Sequence, residues 1–362
     1  MIRVVMIVRS TLFTVKGGDT VQVTQTANNL RKQEVLVDIK LSNEKINYNN
    51  YDLLHFFNIM RPADILSHIN ATQKPFVVST IFVDYSLFDK HYRRGFSGFL
   101  FRFLKGDHIE YIKTIARWLK GNDKTISATY ILNRQRRSII KILQESEMLL
   151  PNSESEYQRL AAIYPFQTKY TVVPNAVNPY LFRYNERAEK DLSLVLCVAR
   201  IEGIKNQLNL IRAVNNTKYQ LLIIGSPAPN QMAYYHACRK EAASNITFIA
   251  HLPQEELIQY YQKAKVHVLP SYFETTGLSS LEAAAMGCNI VITDKGDTRY
   301  YFADDAVYCE PHSPESIYDA IEQAAHLPIN ITLQSKIITS FTWQQATSKT
   351  LDAYRCIKSK WG

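Results

Sequence analysis

The strongest constraint on the fold of this chain is an alternation of short apolar runs with segments of helical spacing, and the alternation occurs twice. The runs are rich in Val, Ile and Leu, which is typical of strands buried on both faces of a parallel sheet. The first series comprises residues 4–8, 35–39, 53–57, 76–82, 148–152 and 170–174, and the second comprises residues 194–199, 219–225, 246–250, 266–270 and 289–293. The pattern predicts two doubly wound α/β domains joined by residues 174–182.

Length and composition agree with two domains. A chain of 362 residues with 46% apolar residues is too long for one ordinary core and too apolar to be disordered. The five cysteines, at positions 197, 238, 288, 309 and 356, lie far apart and form neither a CxxC pair nor a close Cys/His group. We expect reduced thiols in a cytoplasmic protein. The sequence has no signal-peptide pattern and no run of about eighteen apolar residues, so we expect neither export nor a membrane span.

The positive charge of the chain is concentrated in one segment. The formal net charge is +9, and residues 90–141 alone hold 13 Lys and Arg against 3 Asp and Glu. Phe, Leu, Ile and Trp118 are interleaved with these cations at approximate helical spacing, as in helices that lie at a membrane surface. The segment therefore indicates either contact with an anionic membrane or a core-packing helix with a solvated basic face. Nucleic acid ranks below both, since no RNP, KH or helix-turn-helix pattern is present.

The stretch FETTGLSSLE, residues 273–282, lies between the expected strand 266–270 and a helical segment. Gly277 allows a close backbone approach to a ligand, and the amides of the following helix favour an anion such as phosphate. Glu274 would lie in the loop and Glu282 in the first turns of the helix. Arg200 and Lys205 occupy a comparable loop and are suited to clamping a diphosphate. The alternatives are a chance pair of glutamates and two solvated surface cations.

A second loop of interest is KGGD, between the first strand and a helix expected to begin near Thr20. Gly17 and Gly18 permit a close backbone approach to donor phosphates or to an incoming hydroxyl, with Lys16 beside them. Asp19 or Thr20 is expected to cap the helix. The alternative is an ordinary turn between strand and helix.

These motifs together resemble the nucleotide-sugar-dependent glycosyltransferases of family 4, whose fold is called GT-B. The resemblance rests on VLCVARIEGIKNQLNLIRAV, LLIIG, ITFIAHLPQEELIQYYQKAKVHVLPSYFETTGLSSLEAAAMGCNIVIT, VPNAVNPYLF, SESEYQRL, KGGD and FTWQQATSKTLDAY. It covers nearly the whole chain, is strong over residues 170–295 and is thin over residues 85–145. It implies an α/β chain with two Rossmann-like domains facing a central cleft.

The resemblance also implies a role for each part of the chain. Residues 1–175 would form the acceptor-binding domain, residues 176–342 the nucleotide-sugar-binding domain, and residues 343–362 a helix that crosses back to the first domain. The donor-binding residues so implied are Gly17, Gly18, Arg200, Lys205, Thr275, Thr276, Gly277, Leu278 and Glu282, with Glu274 on the transferred sugar and Glu282 on the ribose. No metal and no cofactor are expected, and no DxD constellation is placed to hold a metal.

One position departs from the resembled family. Many relatives carry a histidine after the fourth strand, whereas Phe82 is the best match here. Asp84 and Tyr85 follow within a turn, and Asp84 is put forward beside Glu274 as a catalytic candidate. His55, in the run LLHFF, is an acceptor-side candidate together with Lys16, Asp19 and Tyr85. A lone histidine at a strand end is also common as a hydrogen-bonded structural residue.

The function implied is a retaining transfer of a hexose-type sugar from a nucleoside diphosphate sugar, UDP rather than GDP, to a glycan or lipid-linked acceptor in the synthesis of surface polysaccharide or glycolipid. The enzyme would lie at the inner face of the membrane. Two alternatives stay open. One is an epimerase or phosphorylase built on the same plan, and the other is a non-catalytic module that binds sugar nucleotides or lipid.

Overall fold

The computed structural model describes residues 1–83, 106–119 and 126–361. The chain forms two compact units. The first comprises Met1–Asn175 together with Trp343–Gly362, and the second comprises Ala176–Thr342.

The first unit is built on a five-stranded parallel sheet in the order β2-β1-β3-β4-β5. Its strands are β1 (Arg3–Val8), β2 (Leu36–Leu41), β3 (Leu53–Phe57), β4 (Phe76–Ser79) and β5 (Met148–Leu149), and its helices are α1 (Gly18–Arg31), α2 (Pro62–Ile69), α3 (Gly106–Leu119), α4 (Ala128–Glu145) and α5 (Glu154–Ile163), with a short 3₁₀ turn at Tyr48–Asn50. All five residues of β3 are buried, because helices cover both faces of the sheet. The chain reverses its direction of strand addition between β1 and β3, and loops at such a point commonly bind ligands.

The second unit is built on a six-stranded parallel sheet in the order β11-β10-β9-β6-β7-β8. Its strands are β6 (Asp191–Val198), β7 (Gln220–Ile224), β8 (Ile246–Ile249), β9 (Ala264–Leu269), β10 (Asn289–Ile292) and β11 (Val307–Tyr308), and its helices are α6 (Gln207–Val214), α7 (Met232–Glu241), α8 (Gln254–Lys263), α9 (Leu278–Ala285), α10 (Thr298–Phe302), α11 (Pro314–His326) and α12 (Ile331–Ser340), with a 3₁₀ turn at Gly203–Lys205. The direction of strand addition reverses here between β6 and β9.

Two apolar layers sandwich the second sheet. Successive side chains of β6 alternate between them, since side chains of a strand point to opposite faces in turn. Val195 and Cys197 pack in the layer that includes residues of α6 and α11. Leu194 and Leu196 pack in the layer that includes residues of α9 and α12. This three-layer arrangement fixes the loops at the carboxyl ends of the strands.

The predicted fold class, α/β with two parallel-sheet Rossmann-like domains, is confirmed. Three expected strands are clearly shorter than predicted, and one of them, the run 148–152, is a strand only at Met148–Leu149. The run 76–82 ends as a strand at Ser79, because Thr80 Oγ1 and Phe82 N turn to donate hydrogen bonds to the buried carboxylate of Glu156. The run 170–174 forms only an isolated bridge, in which Tyr170 pairs with Leu149.

The C-terminal helix, Trp343–Trp361, belongs to the first unit. It packs against α1, and Leu351 and Ile357 on it are buried. The Tyr354 hydroxyl lies 2.6 Å from His55 Nδ1. Lys358 Nζ donates to the carbonyl oxygen of Met1 at 3.0 Å. The last helix of the sequence therefore completes the core that the first strands begin.

The basic segment 90–141 is described only in α3 and α4, and the remainder of it lies outside the described residues. Five large apolar side chains on these two helices are exposed, namely Ile112, Trp118, Leu119, Ile131 and Leu132. Leu119 and Leu132 are the most open, at 73% and 78% exposure. In the described parts of the chain, no helix is both long enough and apolar enough to span a bilayer.

Candidate functional site

The candidate site lies where the carboxyl ends of β6, β9 and β10 meet. These three strands are neighbours in the sheet, so the loops that leave them come together at one edge. The direction of strand addition reverses between β6 and β9, which is where doubly wound sheets place their ligands.

Lys205 and Glu274 form the centre of this site. Lys205 Nζ lies 2.6 Å from Glu274 Oε1, and the Ser271 hydroxyl donates to the same oxygen at 2.6 Å. The Lys205 side chain is 21% exposed and that of Glu274 only 6%. The loop after β6 and the loop after β9 therefore bring a cation and a carboxylate together at a point that solvent still reaches through the lysine.

Asn206 fixes the loop that carries Lys205, a role that no pattern in the sequence indicates. Its backbone is left-handed, with φ of 59°, a conformation that Asn tolerates better than most residues. Its buried amide nitrogen donates to the carbonyl oxygens of Pro270 at 3.0 Å and Pro311 at 2.6 Å. Tyr272 N adds a bond to Ile204 O at 2.9 Å. The two loops are thus held at a set distance.

The backbone of Glu274 is held by the loop after β10. Glu274 N donates to Lys295 O at 3.0 Å, and Asp297 N donates to Glu274 O at 2.8 Å. Between these two contacts lies Gly296, with φ of +96°, where an added Cβ would come within 2.1 Å of Glu274 O. Only glycine fits there, and the spacing rules applied to the sequence could not have found this requirement.

Gly277 begins the helix α9. It adopts a left-handed conformation with φ of 71° and serves as the N-cap without a side-chain hydrogen bond. Ser280 N makes the first bond of the helix, to Gly277 O at 2.8 Å, so the amides of Leu278 and Ser279 precede the intrahelical ladder. Such amides and the helix dipole favour an anion. Of the neighbouring loop residues, Thr276 is buried, with Oγ1 3.3 Å from the Tyr301 hydroxyl, whereas Thr275 is half-buried.

Glu282 lies one turn into α9, as predicted, and is buried. Gln254 Nε2 donates to its Oε1 at 2.5 Å, and the Tyr261 hydroxyl donates to its Oε2 at 3.0 Å. Burial raises the pKa of the Glu282 carboxyl to about 7, and the two hydrogen bonds only partly oppose that rise. The two glutamates of the motif therefore sit in different environments, since Glu274 has a cationic partner and Glu282 has neutral ones.

Arg200 lies at the end of β6, in the loop that also carries Lys205. Its guanidinium group contacts Glu202 Oε1 at 2.9 Å, and its side chain is 38% exposed. Its backbone carbonyl accepts a hydrogen bond from Gln207 Nε2 at 2.8 Å. The main chain at Arg200 is therefore anchored while the guanidinium group remains at the surface.

In the first unit, the KGGD loop begins α1 two residues earlier than expected. The helix starts at Gly18 with Gly17 as its N-cap, so neither Asp19 nor Thr20 is the N-cap residue, although both side chains accept hydrogen bonds from backbone amides at the start of the helix. Thr20 Oγ1 accepts a hydrogen bond from Gly17 N at 3.1 Å. The Asp19 carboxylate binds the Arg9 guanidinium group at 2.6 Å and 3.0 Å. Asp19 Oδ1 also accepts from Thr20 N at 2.9 Å, so the carboxylate binds both Arg9 and an amide of the first turn of the helix.

Arg9 is a residue of this loop that sequence reasoning missed. Besides Asp19, its guanidinium group binds the carbonyl oxygens of Thr11 at 2.9 Å and Val15 at 2.7 Å. The loop between β1 and α1 is therefore folded around one cation. Lys16 is exposed and lies directly after the segment that Arg9 holds.

His55, an acceptor-side candidate, lies in the core of the first unit. Both ring nitrogens are partnered, Nδ1 with the Tyr354 hydroxyl at 2.6 Å and Nε2 with Ser79 Oγ at 2.8 Å. Burial lowers its pKa to about 3, so the ring is neutral. The structure contradicts the proposed contact with an acceptor, because the side chain is only 1% exposed and has no free nitrogen. The alternative of a structural histidine is the one that fits.

Of the candidates near the end of the fourth strand, only Phe82 is described. Its ring is buried and packs edge-on against Tyr164 at 6.3 Å between centroids. Asp84 and Tyr85 lie outside the described residues. Across the described ranges, no group of three or more His, Cys, Asp or Glu side chains is arranged to hold a metal ion.

Comparison with known proteins places the site inside a recognised domain. Residues 182–339 match the family model described as "Glycosyl transferases group 1". A D-inositol 3-phosphate glycosyltransferase of Kribbella flavida is 26% identical over 244 residues, covering 59% of this chain and 58% of that protein. The enzyme of the same name from Corynebacterium aurimucosum is 27% identical over 267 residues, covering 67% and 63%. The chain thus spans about three fifths of the length of these curated relatives.

Solved structures show the same fold at low sequence identity. A sucrose-phosphate synthase from Thermosynechococcus elongatus has a TM-score of 0.76 at 15% identity, covering 99% of this chain and 100% of that one. HepE from Anabaena, in complex with UDP, has a TM-score of 0.70 at 11% identity, covering 98% and 100%. The fold is therefore GT-B, and the part of the second unit that matches the group 1 model includes Arg200, Lys205, Glu274 and Glu282.

Proposed function

We propose that this chain is a retaining, nucleotide-sugar-dependent glycosyltransferase of family 4. The observation that carries the proposal is the contact of Lys205 with Glu274 at 2.6 Å, beside the amides that begin α9, at the reversal point of a sheet in a group 1 domain. A cation and a helix N-terminus suit a diphosphate, and an adjacent carboxylate suits the hydroxyls of a sugar. Few other ligands need all three at once.

The protein would bind three parts of the donor separately, namely the diphosphate, the sugar and the ribose. Lys205, Arg200 and the amides of Leu278 and Ser279 would bind the diphosphate, and Gly277 would let it approach the backbone. Glu274 would accept hydrogen bonds from the hydroxyls of a hexose-type sugar, and Glu282 from those of the ribose. We place UDP ahead of GDP as the nucleotide, and the similar fold of HepE in complex with UDP supports that order.

The proposed reaction joins the acceptor hydroxyl to the anomeric carbon of the donor sugar. The bond from that carbon to the diphosphate breaks, and the electron pair leaves with the nucleoside diphosphate. A phosphate oxygen takes the proton of the attacking hydroxyl, so the new bond forms on the face that the nucleotide leaves. Lys205 and Arg200 offset the charge that develops on the diphosphate, and the reaction as proposed uses neither a metal ion nor a covalent intermediate.

Donor binding is the first test. Thermal unfolding and calorimetry would be measured with UDP, GDP, ADP and their sugars for the natural chain, Lys205→Met and Lys218→Met. Lys218 is the matched control, because its ammonium group also contacts a glutamate of the second unit, Glu322, at 2.7 Å but is 57% exposed. We expect Lys205→Met to lose at least roughly tenfold in donor affinity and Lys218→Met to lose none. Absence of stabilisation by every nucleotide would overturn the proposal.

The stereochemistry is the second test. Proton NMR of the product distinguishes the anomers, and an α-linked donor must give an α-linked product if transfer is retaining. A β-linked product would contradict the retaining assignment while leaving the transferase assignment intact. Incubation with donor and no acceptor separates the epimerase alternative, because an epimerase alone would invert a sugar stereocentre.

For the acceptor, we propose a glycan or lipid-linked saccharide of the surface polysaccharide or glycolipid type, reached at the inner face of the membrane. Support comes from the exposed apolar side chains of α3 and α4 within the basic segment. Cosedimentation with vesicles tests this. Replacing both Trp118 and Leu119 by serine should weaken binding to vesicles rich in anionic lipid, whereas replacing Leu192, an exposed leucine of the second unit, by serine should not. If the double variant binds these vesicles as well as Leu192→Ser does, the membrane proposal is refuted.

A further inference from the structure

The Glu282 carboxyl group is held only by neutral donors. Gln254 Nε2 contacts Oε1 at 2.5 Å and the Tyr261 hydroxyl contacts Oε2 at 3.0 Å. Within the described part of the chain, no ion pair includes Glu282, although the side chain is buried and the residue is 7% exposed. A buried carboxylate without a cationic partner is costly, because water no longer stabilises its charge.

The elements packed around α9 do not bring a compensating charge to this carboxyl. The helix α8 contributes Gln254 and Tyr261. The strand β9 contributes His267, whose ring is neutral because burial lowers its pKa to about 3, and Lys265, whose pKa is lowered by burial and whose charge interacts with Cys288. The strand β10 has no titratable side chain.

Two further lysines lie near α9, and each contacts a group other than Glu282. Lys336 on α12 contacts Asp305 at 3.9 Å. Lys190 lies at the far end of α9, where its ammonium group donates to the carbonyl oxygen of Met286 at 2.7 Å. The influences on the Glu282 carboxyl are accordingly burial, Gln254 and Tyr261.

We propose that burial without a cationic partner favours the neutral acid form of Glu282 in the donor-free protein, that Gln254 and Tyr261 are positioning residues that orient its carboxyl group, and that donor binding expels its proton to solvent. This inference rests on the proposed function, in which Glu282 receives the ribose hydroxyls. It adds a proton-linked step to donor binding.

The chemistry of a vicinal diol requires the change of charge. A protonated carboxyl group has one hydroxyl that donates, whereas an ionised one has two oxygens that only accept. Two ribose hydroxyls that donate to Glu282 therefore favour the ionised form. The proton passes from the carboxyl group to water, and no covalent bond to carbon forms or breaks.

The direction of the pH dependence follows from this linkage. The donor-free carboxyl group is half protonated near neutral pH, since its pKa is raised to about 7. Below that pH, binding must remove the proton, so the affinity falls as pH falls. Above it, the carboxyl group is already ionised and the affinity levels off. We expect the association constant to drop roughly tenfold between about pH 8 and about pH 6.

The test is calorimetric titration of UDP-glucose and GDP-mannose, each in two buffers of different ionisation enthalpy. Sugar nucleotides are the right probes, because they lack the free terminal phosphate of UDP, whose second ionisation falls at about pH 6. The natural chain should release about half a proton per bound donor at about pH 7. Glu282→Gln should bind with weaker, pH-independent affinity and release none.

Variants of the two positioning residues separate their role from a structural one. Gln254→Lys places a cation beside the carboxyl group and should move the midpoint of the pH profile to lower pH. Tyr261→Phe removes a donor and should move it to higher pH. A purely structural role would change the affinity equally at every pH. Glu322→Gln is the control, because Glu322 accepts from the Tyr219 hydroxyl at 2.6 Å but also binds Lys218, and its variant should keep the natural profile.

Each outcome decides between the two proposals. Donor binding with an affinity independent of pH in the natural chain would overturn this inference and leave the proposed function standing. A pH dependence that persists in Glu282→Gln would also overturn it, by locating the proton elsewhere. If neither sugar nucleotide binds at any pH, the proposed function itself fails.

Discussion

Replacing Lys205 by methionine removes the ammonium group that lies 2.6 Å from Glu274 Oε1. The Ser271 hydroxyl still donates to that oxygen, but the carboxylate is left buried without its cation. Breaking a fully buried pair costs about 3–5 kcal/mol, and breaking an exposed one costs about 0–1 kcal/mol. Because the lysine side chain is 21% exposed and that of Glu274 is 6% exposed, we expect an intermediate loss of about 2 kcal/mol in the free energy of unfolding.

The magnitude is best measured as a double-mutant cycle. Glu274→Gln keeps a hydrogen-bonding group beside Ser271 and leaves a lysine that can turn to solvent, so its cost should be about 1 kcal/mol. The variant with both changes has no unpaired charge. It should be more stable than the sum of the single effects predicts, by about 1.5 kcal/mol.

The assay must follow the second unit specifically. All three tryptophans, Trp118, Trp343 and Trp361, belong to the first unit, so tryptophan fluorescence would not report on this pair. Differential scanning calorimetry follows both units. We expect the transition of the second unit to fall by roughly 4–8 °C in Lys205→Met.

Lys218→Met is again the control, and its shift should correspond to less than about 1 kcal/mol. If Lys205→Met is no more destabilising than this control, and the two changes of the cycle are additive, the ammonium group and the carboxylate are not paired in solution. The argument that places a diphosphate beside them would then lose its main support.

Three further changes test other parts of the structure. Lys190→Met removes an ammonium group that donates at 2.7 Å to carbonyl oxygens in the last turn of α8 and at the end of α9, and calorimetry should show a loss of about 2 kcal/mol in the second unit. Gly296→Ala places a Cβ within 2.1 Å of Glu274 O, and both the transition temperature and donor binding should fall. Tyr354→Phe leaves His55 Nδ1 without its partner, and tryptophan fluorescence in urea should show a loss of about 1–2 kcal/mol in the first unit. If one of these variants shows no loss of stability, the structural contact that it tests is contradicted.

The sequence predicted the architecture because the signal for buried parallel strands is local. The run that became β6 is apolar along its length, and its side chains fill both layers of the second unit. The ends of the strands were predicted less accurately. The strand β4, which begins at Phe76, ends early at Ser79 because Glu156 binds the residues that follow. Glu156 lies 77 residues after Ser79 in the chain. A contact of that sequence separation leaves no trace in a local pattern.

The positions of Glu274, Gly277 and Glu282 on one loop and helix could also be predicted, since they are close in sequence. Asn206 could not, because its role depends on a carbonyl oxygen 105 residues away, at Pro311. Gln254 was missed for the same reason, as it reaches Glu282 across 28 residues. Sequence spacing locates groups within one element, whereas tertiary contacts decide which groups they meet.

His55 shows how a candidate from a local pattern can carry a wrong interpretation. A histidine at the carboxyl end of a parallel strand would lie near the edge of the sheet where ligands bind, whereas His55 is the third of the five residues of β3. In the structure, Tyr354, 299 residues later, covers that histidine and takes one ring nitrogen, while Ser79 takes the other. The sequence could suggest that the last helix returns to the first domain, but it could not show that the helix occupies this histidine.

The arrangement at Glu274 explains how the pair with Lys205 is compatible with the proposed function. Both the ammonium group and the Ser271 hydroxyl bind Oε1, and in the described residues no hydrogen bond is made to Oε2. An ammonium group has three donors, so one can stay on Glu274 while two turn to a diphosphate. Oε2 is left to accept from a sugar hydroxyl. In the proposed complex, donor binding would need no break in the ion pair, and the lysine would link the charge of the leaving group directly to the residue proposed to orient the sugar.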